Sequence, residues 1–482
     1  MVEASPQVAR SRIAQRLLIG VGLASCLLGA LALGIRAALV CVIALASFGP
    51  TLLHILRRRE DAFNPSVLVP LTYGVFALAP LTDWSAFSVD TWTQYLALQT
   101  LAVIALRCGL TLVPPASGRQ PARSRSVPEA ATPAPSTSFL IAALVLLAGA
   151  IPSMATQVSA FGGVAGMVAV GYGGERNVIL GRAAVLGSGF EWWLLGSAML
   201  GFYGVRHRSR WLVLTSVVLY AAVAWLLLKA GQRNPIVFSL IFGVVLYHYG
   251  HRPIPHRRVL FGLFAGIMVV HYVGLARFFL AEGLGRALSE TWKVVIQNPA
   301  ALAPWSVSQF KAPSGSLAEI LEHGGPGLQF GRSYLDALAS AVPFLPRALQ
   351  GIGFSPLQWR METFYADVWV TGGGYGFSPV AEGLLNFGVA GVAMSFFLYG
   401  RIARHFWVRV RRTGSVVALL AYAGALPMLM LNFPSNQSAT VVFQWARAYV
   451  LPCVILWTIQ SVWRRMAAVP APLPSIREGR RA

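Results

Sequence analysis

Negative charge is scarce in this chain: 17 Asp and Glu stand against 39 Lys and Arg, and charged residues of both signs make up only 12% of the sequence. A soluble domain of this length exposes far more charge, so the composition excludes that class. Cysteine is scarce as well. Cys26, Cys41, Cys108 and Cys453 fall in or beside apolar runs without CxxC spacing, which argues against a disulfide framework and a thiolate metal site. Asp367 has no neighbouring carboxylate pair or His cluster, too few ligands for a divalent ion, so neither metal nor cofactor is expected. No internal repeat appears. The first apolar run lacks a convincing small-residue cleavage site and reads as a retained span, not a removed signal peptide.

What the chain has in abundance is apolar sequence, 56% hydrophobic residues at a mean hydropathy of +0.62. Runs long enough to cross a hydrocarbon core of roughly 30 Å centre near Ser25, Ala46, Tyr73, Val103, Val145, Met199, Val218, Phe242, Ile267, Val389, Tyr422 and Ile455. They predict an all-α integral membrane protein, a polytopic bundle of about twelve transmembrane helices. The net charge of +22 invites a nucleic-acid reading, and the location of the arginines argues against it. Basic clusters sit at every second junction: Arg10, Arg12 and Arg16; Arg57 to Arg59; Arg119, Arg123 and Arg125; Arg206, Arg208 and Arg210; Arg252, Arg257 and Arg258; Arg401, Arg404, Arg409, Arg411 and Arg412; Arg464 and Arg465. That alternation is the positive-inside pattern, and it places both termini in the cytoplasm with no nucleic-acid partner.

The organisation follows. Residues 1–113 form a four-span unit, and 114–137, rich in Pro, Ala, Ser and Arg, a cytoplasmic linker that cannot bury a core. Residues 138–279 hold spans five to nine and their outer loops, and 280–375 a long outer loop. Residues 376–465 hold spans ten to twelve, and 466–482 a cytoplasmic tail. A connection as long as 280–375 is usually functional. Its aromatics and the helical segment 333–342, bounded by Pro343 and Pro346, predict short helices lying on the outer face of the membrane.

Polar chemistry concentrates where that loop enters the tenth span. Gly372, Gly373, Gly374 and Gly376 lead to Ser378, a good N-cap, and to Pro379, suited to the first helical position. Glu382 then falls in the first turn of a long apolar helix, an expensive place for an ionisable group. It reads either as a base within reach of a hydroxyl or as a structural partner of an arginine such as Arg233 or Arg447. The glycine run lacks the P-loop lysine and follows no Rossmann strand, so it is a hinge or a set of backbone N–H groups facing an anion, not a nucleotide site. Arginines on the outer side run against the topology rule: Arg176, Arg182, Arg233, Arg277, Arg286, Arg332, Arg347, Arg360 and Arg447. Each either anchors a loop or snorkels to lipid, or several converge as a guanidinium clamp on a phosphate.

Two segments carry a resemblance. FGRSYLDALASAVPFLPRALQ at 330–350 and GGGYGFSPVAEGLLNFGVAGV at 372–392 resemble the oligosaccharide repeat-unit polymerases of bacterial cell-surface polysaccharides, the O-antigen or Wzy-type polymerases. The matching positions are Gly331, Arg332, Ser333, Tyr334, Leu335, Gly374, Gly376, Ser378, Pro379, Glu382, Asn386, Phe387, Gly388 and Gly391. The Lys-Pro that ends the first segment in the family is missing, and an Arg-x10-Gly spacing is met weakly from Arg176 to Gly187.

The resemblance implies a metal-independent, GT-C-like glycosyltransferase in a bacterial inner membrane. It would join glycan units carried on undecaprenyl pyrophosphate at the periplasmic face, beside a flippase and a chain-length regulator of the same pathway. It implies that Arg176, Arg182, Arg233, Arg277, Arg332, Arg360 and Arg447, with Ser378, Gly374, Gly376 and Tyr334, bind the pyrophosphate and substrate. Glu382 would activate the acceptor hydroxyl, with Asp367, Glu362 and His271 as the other candidates. An O-antigen ligase and a lipid-linked oligosaccharide flippase or other transporter are the rival readings.

Overall fold

A computed structural model describes residues 34–56, 61–111, 137–170, 188–276, 279, 283–298, 308–325, 327–341, 345 and 376–467. The described residues are helical, with no strand among them. Seven of the helices are long and apolar enough to cross a membrane: Ile35–Leu53, Pro65–Ala86, Thr137–Ala160, Arg210–Lys229, Pro379–Thr413, Val416–Ser435 and Ser438–Val462. The chain is therefore a helical membrane protein by composition and fold. Helices also occupy the other described run positions, as Val89–Thr111, Gly189–Arg206, Asn234–Gly250 and His256–Ala276; the run centred near Ser25 lies outside the described residues.

In chain order we name α1 (Ile35–Leu56), α2 (Pro65–Leu78), α3 (Val89–Thr111), α4 (Thr137–Ala160), α5 (Val164–Val170), α6 (Gly189–Arg206), α7 (Arg210–Lys229), α8 (Asn234–Gly250), α9 (His256–Ala276), α10 (Leu284–Gln297), α11 (Ser308–His323), α12 (Arg332–Ala341), α13 (Pro379–Thr413), α14 (Val416–Pro427), α15 (Ser438–Trp445) and α16 (Leu451–Ala467). The parts on either side of the 114–137 linker share one core, because α3 packs along α13. The approach is close enough to need glycine on both sides. A Cβ on Gly109 would stand 2.1 Å from the Phe397 carbonyl oxygen, and one on Gly400 2.4 Å from that of Leu106. Aromatic and amide side chains fill the rest. Tyr73 meets Phe396 edge to face and donates its hydroxyl to Gln99 of α3, which is why that helix tolerates a buried amide.

The two ends of the bundle differ in chemistry. At one, Asp61 gathers the Tyr249 hydroxyl at 2.8 Å, the Trp407 indole N–H at 2.9 Å and Arg411 at 3.4 Å, with His248 3.8 Å away. These residues lie at junctions where the sequence places basic clusters, so one side collects the ends of α8 and α13 and the start of α2. At the other end, the long loop supplies α10, α11 and α12. Helix α11 is pinned over the α2–α3 turn by Lys311 to Asp83 at 2.9 Å, by Glu322 accepting from Ser88 Oγ at 2.9 Å, and by Phe310 against Phe76. Helix α10 is tied to α9 through the Tyr272 hydroxyl on the Leu288 carbonyl at 2.7 Å, and it leaves Leu288, Trp292 and Ile296 exposed on one stripe. The expected short helices of the loop are thus present, and the predicted 333–342 segment is α12.

Candidate functional site

Helix α13 begins as the sequence predicts. Ser378 is the N-cap, its hydroxyl accepting from the Val380 and Ala381 N–H groups, and Pro379 takes the first helical position. It does not continue as one rod. Phe387 and Gly388 leave helical geometry, with Gly388 at φ 64°, so the first eight residues form a half-helix. Gly391 then lies against Gly383, where an added Cβ would stand 2.2 Å from the Gly383 carbonyl oxygen. Residues eight apart on a straight helix are about 12 Å apart, so the chain folds back sharply at the Asn-Phe-Gly triplet. The half-helix's freed Leu385 carbonyl accepts the Gln329 N–H at 2.7 Å.

Glu382 sits on the buried side of this half-helix, 2% exposed. One carboxylate oxygen accepts from Ser333 Oγ at 2.6 Å; the other accepts from both the N–H and the Oγ of Ser438 at 2.8 Å. Ser333 comes from the first turn of α12 and Ser438 opens α15, so three segments meet on one carboxylate. The Asn386 amide completes the group, donating to Ser333 Oγ and to the Glu382 carbonyl, each at 2.7 Å. Its own Oδ1 is buried without a hydrogen-bond partner.

Around the carboxylate, Tyr334 stacks on Phe387 with ring centroids 6.2 Å apart, and Gly331, at φ 88°, leaves room for the same ring. Burial pushes the Tyr334 phenol above its ordinary range, and the Glu382 charge pushes it the same way against the opposing Ser395 hydroxyl. Gly376 adopts φ 73° and approaches the last hairpin so closely that a Cβ would lie 2.1 Å from the Ser435 carbonyl oxygen, to which Phe377 N–H donates at 3.1 Å. The close approach explains this glycine without a phosphate. Ser378 N–H is held by Ser316 Oγ of α11 at 3.0 Å.

The structure therefore joins Glu382, Ser378, Gly376 and Tyr334 and sets Arg332, exposed, beside Ser333. It does not pair Glu382 with Arg233 or Arg447: the described partners are serines. Arg233 is half-buried at the N-terminus of α8, and the Arg447 guanidinium lies over the Phe443 ring at 4.6 Å. Arg176, Arg182, Arg277, Arg360, Glu362, Asp367 and Gly374 lie outside the described residues, and His271 falls on α9 with its side chain undescribed. Ser333, Asn386 and Ser438 are the residues that sequence reasoning left without a role. The first two belong to the quoted segments; Ser438 follows the Pro-Ser-Asn-Gln turn and carries no signal of its own.

Breaks in the last two spans add to this end of the molecule. Met428–Asn432 and Ala446–Val450 are π-helical turns, and each offers a carbonyl to another helix: Leu429 to the Tyr399 hydroxyl, Arg447 to the Trp192 indole at 2.8 Å. Among the described residues no three His, Cys, Asp or Glu side chains come together. No family model, curated protein or solved structure matches the chain.

Proposed function

We propose that this protein is a polymerase of lipid-linked oligosaccharide repeat units, working at the outer face of a bacterial inner membrane with both termini in the cytoplasm. On this reading the chain has twelve spans in a GT-C-like arrangement. The observation that carries the proposal is the meeting of the two resemblance segments. Gly331, Ser333 and Tyr334 of the first lie directly on Glu382, Asn386 and Phe387 of the second. Residues spaced apart in sequence that build one buried polar junction beside an exposed arginine act as a unit, which a fortuitous likeness of separate segments would not explain.

The chemistry is a glycosyl transfer. An acceptor sugar hydroxyl attacks the anomeric carbon of the donor glycan; the new C–O bond forms as the bond to the pyrophosphate breaks, and the pyrophosphate leaves with the electron pair. Outer arginines, Arg332 foremost among the described ones, stabilise the charge that grows on the leaving group. The hydroxyl proton passes to a carboxylate, with Asp367 and Glu362 as candidates of the same loop. The substrates are undecaprenyl-pyrophosphate-linked glycans; a flippase and a chain-length regulator are the expected companions.

A ligase would use the same donor chemistry. A transporter would need ionisable groups through mid-membrane spans, whereas the Asp, Glu, Lys and Arg side chains among the described residues lie toward helix ends and loops. A gel of surface and lipid-linked glycans from a strain lacking the gene separates the three. Surface glycan cut to a single repeat supports the polymerase; full-length polymer left on its carrier supports the ligase; repeats trapped inside support the transporter.

A further inference from the structure

We infer that Glu382, Ser333, Asn386 and Ser438 form a positioning clamp that fixes Arg332 over the half-helix, and that Glu382 is not the base of the reaction. The inference rests on the reading of Arg332 as a leaving-group ligand.

Both Glu382 oxygens already accept, Ser333 on one and the Ser438 N–H and Oγ on the other, and the side chain is 2% exposed, so a substrate hydroxyl could reach the remaining lone pair only by displacing the residues packed around it. The Ser333 hydroxyl has one proton, and its direction is set. Asn386 donates to Ser333 Oγ, which is left to donate to Glu382. On the other side, Ser438 N–H is one of the orphan donors at the start of α15. Gln437, preceding it, makes no side-chain cap, and Glu382 supplies the acceptor from another helix. A helix N-terminus favours negative charge, so the carboxylate meets the positive ends of its own half-helix and of α15 together.

Arg332 is bracketed by this arrangement. Before it, Gln329 N–H donates to the Leu385 carbonyl of the half-helix, and the Gln329 carbonyl accepts the Arg332 N–H at 3.0 Å. After it comes Ser333 on Glu382. The chain three residues before the arginine and the residue directly after it are thus tied to one eight-residue element, while the arginine side chain stays exposed. The long loop is held to the membrane-embedded helices at the point where it presents a cation.

The test uses the full-length protein and the variants Ser333→Ala, Ser333→Thr, Glu382→Gln, Arg332→Ala and the double Arg332→Ala/Ser333→Ala. Hydrogen exchange in detergent is read on peptides covering 327–341 and 438–445, and glycan chain length in a complemented deletion strain. The clamp requires Ser333→Ala and Glu382→Gln to raise exchange about tenfold in both peptides, and Ser333→Thr to restore protection. Positioning further requires Ser333→Ala to shorten the glycan while the double variant is no worse than Arg332→Ala alone.

Unchanged exchange overturns the clamp. A double variant worse than Arg332→Ala overturns positioning and leaves a structural tie. Raised exchange with normal glycan in Arg332→Ala removes Arg332 from the transfer, and with it the positioning role, while the contacts themselves stand. Should Glu382→Gln fail to accumulate, Ser333→Ala, which deletes a single hydroxyl, decides the matter.

Discussion

The Ser333 hydroxyl donates to a Glu382 oxygen at 2.6 Å although the two residues are 49 positions apart. One belongs to a helix of the long loop, the other to a half-helix that turns back before the rest of its helix begins. Their contact is one of the points at which the loop is tied to the bundle. The graded strength of its bonds, the close helix contact beneath it and the polar groups at both ends of the bundle each lead to a measurable consequence.

Removal of the carboxylate should cost more than removal of any one donor. Glu382→Ala strips one buried and two half-buried donors of their acceptor and is expected to destabilise the protein by about 3 kcal/mol, whereas Ser438→Ala keeps the backbone donor and should cost about 1 kcal/mol. Thermal unfolding in detergent ranks the two; equal losses would show that the Ser438 N–H contributes nothing.

Gly109→Ala and Gly400→Ala should each part α3 from α13. Backbone atoms occupy the space of the added Cβ, so a loss of about 1–3 kcal/mol is expected at either site. Gly149→Ala, on a surface with open space, is the control and should be neutral or slightly stabilising. Accumulation of wild-type levels of both close-contact variants at raised temperature would contradict the packing.

At the opposite end, Asp61→Ala leaves the Tyr249 hydroxyl and the Trp407 indole without their shared acceptor. The expected cost is about 2–4 kcal/mol, with Asp61→Asn milder because one acceptor oxygen survives. Unfolding midpoints of the two variants test the order, and equal midpoints would rule out these bonds as its cause.

The docking of α11 carries a pH dependence. Hydrogen bonds from Thr91 and Ser88 lower the Glu322 carboxyl below its ordinary value. A lowered acid contributes stability that is present above the unfolded carboxyl value, about 4.3, and is lost as pH falls through the lower folded one. Protease cleavage at Lys311 should therefore be flat from pH 8 to about 5 and rise below about 4, while Glu322→Gln removes that rise. An unchanged acid profile in Glu322→Gln would assign the effect to another group.

The helical membrane class was legible because the length and hydropathy of a span are one-dimensional signals. The Ser378 cap, Pro379 and α12 were legible for the same reason, each resting on neighbours in sequence. The fold-back at Gly388 was not: 379–400 reads as an unbroken apolar helix, and only the backbone angle of Gly388 and the Gly383–Gly391 contact reveal the turn. Helix α11 was not legible either: it carries Pro313 and Gly315 inside Ser308–His323, residues that disfavour a helix interior. The partners of Glu382 escaped for a different reason. The structural alternative for Glu382 named an arginine as its partner, and here two serine hydroxyls and a helix N-terminus provide enough donors to hold it.

The central claim is that this chain itself forms the glycosidic bond between lipid-linked repeats. Purified protein in liposomes, given lipid-linked repeat units from the same cells and no other enzyme, tests it on a gel. The account predicts a ladder spaced by one repeat that Arg332→Ala abolishes. Repeat units recovered unchanged, or moved as single units onto a different lipid acceptor, would contradict it.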